Sequence, residues 1–487
     1  MRKQLTLCTV LLSMLTLAPR PSLAKQPPLN YQVLERVVLD ELKATNTPGA
    51  AIAIVSGDRV VYSRGFGVSS VETGAPVTED MLFRTGSIGK MLTSAVLVSL
   101  AEEGKMALDS PVGDFVKGLG PRLSKVTAHQ LLSHSAGIIN YARGCCAQEE
   151  SALAAQVHAL GDDSYFFTEP GRCFSYSNPS FILAGYLIQQ LSGKPYADAM
   201  SDRLFRPLGM SHTMFRPTMA MTLPLAQGHD ATGMDKPTVV RPAMNNVGDW
   251  PAGFAFTNVH DLARFAIAFM NGGRIDGKQV LSPSLIRTLS KPYVDVPLSW
   301  DIPAGFFEGA KYGHGLFIQE HRGVHILHHG GTIGGYGAFL VMAPEHRFAV
   351  VMLANRTGAI LSQSLEKVLE LSLPLKPRPK APRMEAVAMP PSEMESYTGT
   401  YVNGSLTISL FVKDGRLFRK DFYPPSVEEG PGREFETSVT KVGGHRFAFT
   451  PPGDPAPTEF VLVPGFEGKI EYLHSALETA AKTRLKR

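Results

Sequence analysis

The chain has 487 residues, 44% of them hydrophobic and 19% charged, with a net charge of +4. This is ordinary globular composition, long enough for two or three domains, and too nearly neutral for a nucleic-acid-binding class. Arg2 and Lys3, an apolar run from Leu5 to Ala18 and the small-x-small site Ser22-Leu23-Ala24 read as a secretory signal peptide over 1–24. Residues 1–24 hold three basic and no acidic side chains, so the remainder carries +1. The apolar run is short for a span of about 20 residues, and no later segment is long enough, so a periplasmic or extracellular protein with no stable membrane span in its mature form is expected. Cys8 lacks the small preceding residue of a lipoprotein site.

Tyr31, Leu34, Val38 and Leu42 recur at steps of three or four and predict an amphipathic helix over 30–43. Ala50 to Val55 and Arg59 to Phe66 read as a hairpin around Ser56-Gly57-Asp58, and a strong helix starts at Ser87. Between about 107 and 210 helical segments broken by Gly and Pro predict an α lobe, and 255–290 is helical again. Tyr312–Ile318, Val324–His329, Gly335–Met342 and Phe348–Asn355 read as strands, with a closing helix over 357–371. Strands at both ends with helices between predict one sheet completed by non-local pairing, in a unit spanning 25–372.

A Pro-rich linker over 373–392 follows, and a small β domain occupies 393–487, where Leu406, Ile408 and Leu410 alternate and Asp414-Gly415 makes a hairpin turn. The predicted fold class is α/β: an antiparallel sheet flanked by helices plus an all-α lobe, followed by a small all-β barrel-like domain. The basic residues Lys376, Arg378, Lys380, Arg383, Lys482, Arg484, Lys486 and Arg487 lack aromatic interleaving and read as solvated linker and tail. One disulfide from the Cys145/Cys146 pair to Cys173 is plausible in an oxidising compartment.

Ser-x-x-Lys occurs four times, at Ser22/Lys25, Ser87/Lys90, Ser364/Lys367 and Ser438/Lys441, so the pattern alone decides nothing. Only Ser87 opens an apolar helix, where positions i and i+3 share a face and the dipole favours negative charge. A lysine acts as base only if burial or neighbours lower its pKa from about 10.4. Tyr176-Ser177-Asn178 adds a tyrosine able to relay a proton and an amide able to hold a substrate, though Ser-Asn-Pro is also good turn sequence. His328-His329-Gly330-Gly331-Thr332 adds glycines at a strand, where a substrate can lie close to backbone N–H groups. Adjacent strand residues face opposite ways, so one of the two histidines should reach the site, and a zinc set of His325, His328 and His329 is disfavoured.

With these three motifs, residues 25–372 resemble the serine β-lactamase and penicillin-binding-protein superfamily, in the class C-like branch that includes esterases, D-aminopeptidases and DD-carboxypeptidases. LLSHSAGI from Leu131, GYLIQQLSGKPY from Gly185, LFRPLGM from Leu204 and PAGFAFTNVHDLARF from Pro251 resemble segments of that branch. The resemblance implies that Ser87 is acylated, that Lys90 and Tyr176 share base and acid duties, and that Asn178 contacts substrate. It further implies an oxyanion hole from the N–H groups of Ser87 and Thr332, with His329-Gly330-Gly331 in the place of Lys-Thr-Gly, so His329, Gly331 and Thr332 join the substrate-binding set. No metal or cofactor is implied. The expected substrate is a small molecule or peptide, peptidoglycan fragments among the candidates.

A histidine with a reference pKa of about 6.5 loses its charge between about pH 6 and 8.5, so it is a weaker carboxylate anchor than lysine. Esterase or peptidase activity is therefore expected ahead of strong β-lactamase activity. A β-lactamase or DD-carboxypeptidase proper is the alternative, and a catalytically inert peptidoglycan-binding relative is the alternative of another class. Ser396 to Tyr401, SYTGTY, resembles the lipocalin-like domains found behind some of these hydrolases.

Overall fold

The computed structural model describes residues 31–483 except 141–146, 161–164, 232–235, 298–308, 379–385, 405, 424–431, 454–456 and 466. The signal-peptide reading, Cys8, Cys145, Cys146 and part of the Pro-rich linker lie outside the described residues. Helix α1 (Tyr31–Ala44) buries Leu34, Val38 and Leu42, the stripe its periodicity predicts. Strands β1 (Gly49–Ser56) and β2 (Arg59–Gly67) form the hairpin.

The chain returns to that hairpin some 300 residues later. Strands β3 (Val294–Asp295), β4 (Lys311–Tyr312), β5 (Phe317–His321), β6 (Val324–Ile333), β7 (Tyr336–Ala343) and β8 (Phe348–Ala354) complete an eight-stranded sheet of order β2-β1-β8-β7-β6-β5-β4-β3. β1 pairs antiparallel with β8, Ala50 opposite Ala354, so the non-local closure is as expected. β1 is apolar at nearly every position because both faces are covered. Ala51, Ala53 and Val55 face the core of the helical lobe, while Ala50, Ile52 and Ile54 face α1 and the closing helix α6 (Ser362–Ser372).

On the lobe side, α2 (Gly89–Glu102) is buried over most of its length and packs against α3 (Asn178–Ser192), with α4 (Val259–Met270) and α5 (Pro283–Ser290) further along the chain. Several boundaries differ from expectation, and the stretch expected to be helical over 255–290 is α4 and α5 with a short hairpin of Arg274–Ile275 and Lys278–Gln279 between them. The strand over 312–318 is broken, because Gly313-His314-Gly315 dips onto α2; a Cβ on Gly315, whose φ is +79°, would sit 2.7 Å from Lys90 O. β6 runs on through Gly330-Gly331 to Ile333. α6 begins at Ser362, after the positive φ of Leu361.

A helix, α7 (Pro391–Tyr397), opens the C-terminal part where strand had been expected from Glu393. Beyond it lie β9 (Gly399–Asn403), β10 (Leu406–Lys413), β11 (Arg416–Tyr423), β12 (Arg433–Ser438), β13 (Thr440–Gly443), β14 (Arg446–Phe449), β15 (Thr458–Pro464), β16 (Ile470–Ser475) and β17 (Glu478–Lys482). Asp414 and Gly415 both have positive φ, as a two-residue type I′ hairpin needs. Ile408 and Leu410 point into a core with Tyr401, Phe447, Phe460 and Leu462. The sheet order is β12-β11-β10-β9-β17-β16-β15-β14-β13, and its two outer strands are separated in the chain by Val439 alone. One continuous segment therefore pairs with β11 at one end and β14 at the other, curling the sheet into a barrel.

Candidate active site

Ser87 lies in a single 3-10 turn, Gly86–Ile88, running directly into α2. Three glycines let the backbone crowd there. A Cβ on Gly86, whose φ is +50°, would meet Thr332 N at 2.5 Å; one on Gly331 would meet Ser87 N at 2.9 Å; one on Gly253 would meet Gly86 O at 2.6 Å. The β6 segment Gly331-Thr332 thus passes against the backbone of Ser87, and the N–H groups of Ser87 and Thr332 fall in one small region, as an oxyanion hole requires.

Lys90 is fully buried and its Nζ lies 3.0 Å from Ser87 Oγ, 2.7 Å from Asn178 Oδ1 and 2.7 Å from Ala252 O. Burial holds its pKa well below the ordinary lysine value, with Asp249 opposing weakly. An ammonium would donate to all three oxygens, whereas a neutral amine has two N–H donors, which Asn178 Oδ1 and Ala252 O can take, leaving the lone pair for the Ser87 hydroxyl proton. Tyr176 is buried beside them, its hydroxyl near Ser87 and its ring centroid 4.8 Å from Lys90 Nζ. Burial raises the Tyr176 pKa despite the Ser87 contact, so it stays a protonated donor.

Asn178 begins α3, whose N-cap Ser177 accepts a hydrogen bond from Ser180 N. Ser87, Asn178 and Thr332 are at least partly open to solvent, whereas Lys90 and Tyr176 are not. The arrangement can deprotonate a hydroxyl, attack a carbonyl and hold the resulting oxyanion.

A family model described as beta-lactamase matches residues 34–371. The chain belongs to the beta-lactamase family. It is a serine hydrolase of the serine β-lactamase and penicillin-binding-protein superfamily. Penicillin-binding protein 4 of Amycolatopsis lactamdurans is 28% identical over 317 residues, 64% of this chain and 81% of that protein. A protein called flp from Staphylococcus aureus is 24% identical over 347 residues, 69% of this chain but 65% of its own length. A crystal structure of SurE superposes with a TM-score of 0.74 at 22% identity, covering 93% of this chain and 98% of that one. The D-amino acid amidase of Ochrobactrum anthropi SV3 gives 0.58 at 21%, covering 70% and 97%. These two structures show the fold.

The other Ser-x-x-Lys pairs that the structure describes are engaged elsewhere. Ser364 Oγ donates to Glu41 and Lys367 to Glu370, while Lys441 pairs with Glu393. Where the family motif has lysine, His329 reaches the site and His328 turns away to Gln319 Oε1. His329 does not behave as the sequence suggested. It is almost wholly buried, its Nδ1 lies 2.5 Å from Gly330 O and its Nε2 3.0 Å from the Tyr312 hydroxyl. The Gly330 contact puts the proton on Nδ1 and leaves Nε2 to accept from Tyr312. Burial pushes its pKa down to about 3, so it is neutral throughout pH 6–8.5 and the expected loss of charge in that window does not occur. Both ring nitrogens are satisfied within the protein, and the imidazole packs the wall behind Tyr176.

Among the described residues Cys173 has no disulfide partner, and Cys145 and Cys146, one of which was expected to pair with it, lie outside them. Among the described residues no group of three or more His, Cys, Asp or Glu converges as a metal site, and no helix is long and apolar enough to cross a membrane. Sequence reading missed His134, held at φ +55°, whose Nδ1 accepts from Ser177 N and whose ring lies 4.2 Å from that of Tyr176. It also missed Asn140, whose Oδ1 accepts from Asn178 N. The segment from Leu131 containing SHSAG carried the only signal for His134.

Proposed function

We propose that the protein cleaves an ester, amide or D-amino-acid peptide bond through an acyl-enzyme on Ser87. The observation that carries this reading is the buried Lys90 amine, its donors occupied and its nitrogen 3.0 Å from Ser87 Oγ. The Ser87 proton passes to Lys90 as Oγ bonds to the substrate carbonyl carbon, and the carbonyl electron pair moves onto oxygen, facing the N–H groups of Ser87 and Thr332. When the bond to the leaving group breaks, the Tyr176 hydroxyl gives that group a proton and regains one from the Lys90 ammonium. Water then attacks the acyl-enzyme with the same groups, releasing the acid and restoring Ser87.

The neutral, internally bonded His329 supports esters, amides or D-amino-acid peptides over substrates anchored by a carboxylate. The likeness to a penicillin-binding protein supports a second reading, a β-lactamase or DD-carboxypeptidase. Intact mass after penicillin separates them: a lasting adduct marks a penicillin-binding protein, a transient one a β-lactamase, and no adduct with ester cleavage an esterase. The convergence of Ser87, Lys90, Tyr176 and Asn178 argues against an inert binding relative. The signal-like N-terminus supports export, and with it peptidoglycan fragments as candidate substrates.

The reading is tested with a fluorophosphonate probe and intact mass spectrometry. The parent protein gains one probe adduct and Ser87→Ala gains none; equal labelling of both removes Ser87 from the nucleophile role.

A further inference from the structure

The tip of the β16–β17 hairpin reaches across from the barrel to the segment that carries Tyr176 and Asn178. Leu477 O accepts from Tyr176 N at 2.8 Å, Thr479 N donates to Ser175 Oγ at 3.1 Å, and Thr479 Oγ1 donates to Phe174 O at 2.6 Å. Ala476 turns the tip with a φ of +54°, and Leu477 packs against the cluster containing Phe174 and Tyr176. One side chain at this tip has a more specific geometry. Glu478 Oε1 accepts from Asn140 Nδ2 at 2.9 Å, while Asn140 Oδ1 accepts from Asn178 N at 3.0 Å.

We propose that Glu478 is a positioning residue of the active site, acting through Asn140 on Asn178; the proposal rests on the acyl-enzyme reading above. A primary amide has a donor end and an acceptor end of nearly the same shape, and its neighbours decide which points where. A carboxylate only accepts, so Glu478 draws the Asn140 NH2 toward itself and turns Oδ1 to the N–H of Asn178. That N–H stands at the first turn of α3, where no intrahelical acceptor exists. With Asn178 so held, its Oδ1 stays 2.7 Å from Lys90 Nζ and occupies one of the two donors of the neutral amine. The barrel, 338 residues away in the chain from Asn140 at this contact, thereby sets the state of the base.

This account separates substitutions by hydrogen-bonding sense. Glu478→Gln can still present a carbonyl oxygen to Asn140. Glu478→Ala removes the acceptor. Glu478→Lys replaces it with a donor that favours the flipped amide, setting NH2 against N–H at Asn178.

The experiment measures fluorophosphonate labelling of Ser87 in the full chain, separating kinact from KI, alongside thermal midpoints. Glu478→Ala is expected to lower kinact about tenfold with KI unchanged, Glu478→Gln to recover it to within about threefold of the parent, and Glu478→Lys to fall below Ala. The order of kinact should not follow the order of midpoints. If Glu478→Ala does not fold, Lys slower than Gln is the expected result and equal rates overturn the proposal. Equal rates in all variants, Gln no better than Ala, or a loss confined to KI also overturn it. An unlabelled parent overturns the acyl-enzyme reading itself, and this one with it.

Discussion

Lys90 Nζ lies 3.0 Å from Ser87 Oγ, with the lysine wholly buried and the serine at the edge of solvent. One helical turn therefore joins a hydroxyl that a substrate can reach to an amine that water cannot. Burial disfavours the ammonium, and the oxygens of Asn178 and Ala252 can take both N–H bonds of the neutral amine. The low pKa of this amine and its distance from solvent have a single structural cause.

Removing that amine should remove most of the catalysis. Lys90→Met keeps the length and apolar packing of the stem but has no lone pair of comparable basicity. Ester hydrolysis, followed with p-nitrophenyl acetate, is expected to fall by about 10²- to 10⁴-fold, the range that general-base catalysis contributes.

Gly331→Ala should be damaging without changing any polar side chain. Its Cβ would overlap Thr85 O and lie 2.9 Å from Ser87 N, forcing β6 away from the turn that holds the nucleophile. Displacing one oxyanion donor is expected to cost about 10²- to 10³-fold in kcat. Ester turnover together with far-UV circular dichroism checks that the loss is local.

The structure should also fail in mild acid. Burial lowers the pKa of His134 and His328 well below 6.5 and those of His314 and His329 to about 3. The unfolded chain binds protons at these sites from about pH 6.5 downward while the folded chain does not. Their contribution to stability is thus complete above about pH 6.5 and is lost as pH falls below it, for His314 and His329 down to about pH 3, by up to about 1.4 kcal/mol per pH unit for each histidine. Urea midpoints between pH 8 and 4 should be flat at first and then fall steeply; a midpoint unchanged down to pH 4 would refute the assignment.

Much of this arrangement can be read from the sequence because its signals are local. The step of three between Ser87 and Lys90, the Tyr176-Ser177-Asn178 run and the glycines at 330 and 331 each follow from backbone geometry over a few residues. The alternation of β6 likewise separates His329 from His328. What was illegible depends on distant parts of the chain. The low pKa of His329 comes from its burial beneath elements distant in the chain, which its own strand does not reveal. The break at Gly313-His314-Gly315 exists because α2 lies beneath it. Glu478 sits in an ordinary hairpin, and only the docking of the barrel brings it to Asn140.

The central claim is that Lys90 works as a neutral amine on Ser87. The most direct measurement is the rate of fluorophosphonate labelling at Ser87 as a function of pH, from about 6 to 10.5, with the adduct located by peptide mass. The account predicts that the rate reaches its plateau well below 10.5, the ordinary lysine pKa, and that Lys90→Met abolishes the plateau. A rate that keeps rising in proportion to hydroxide up to pH 10.5, unchanged in Lys90→Met, would contradict it.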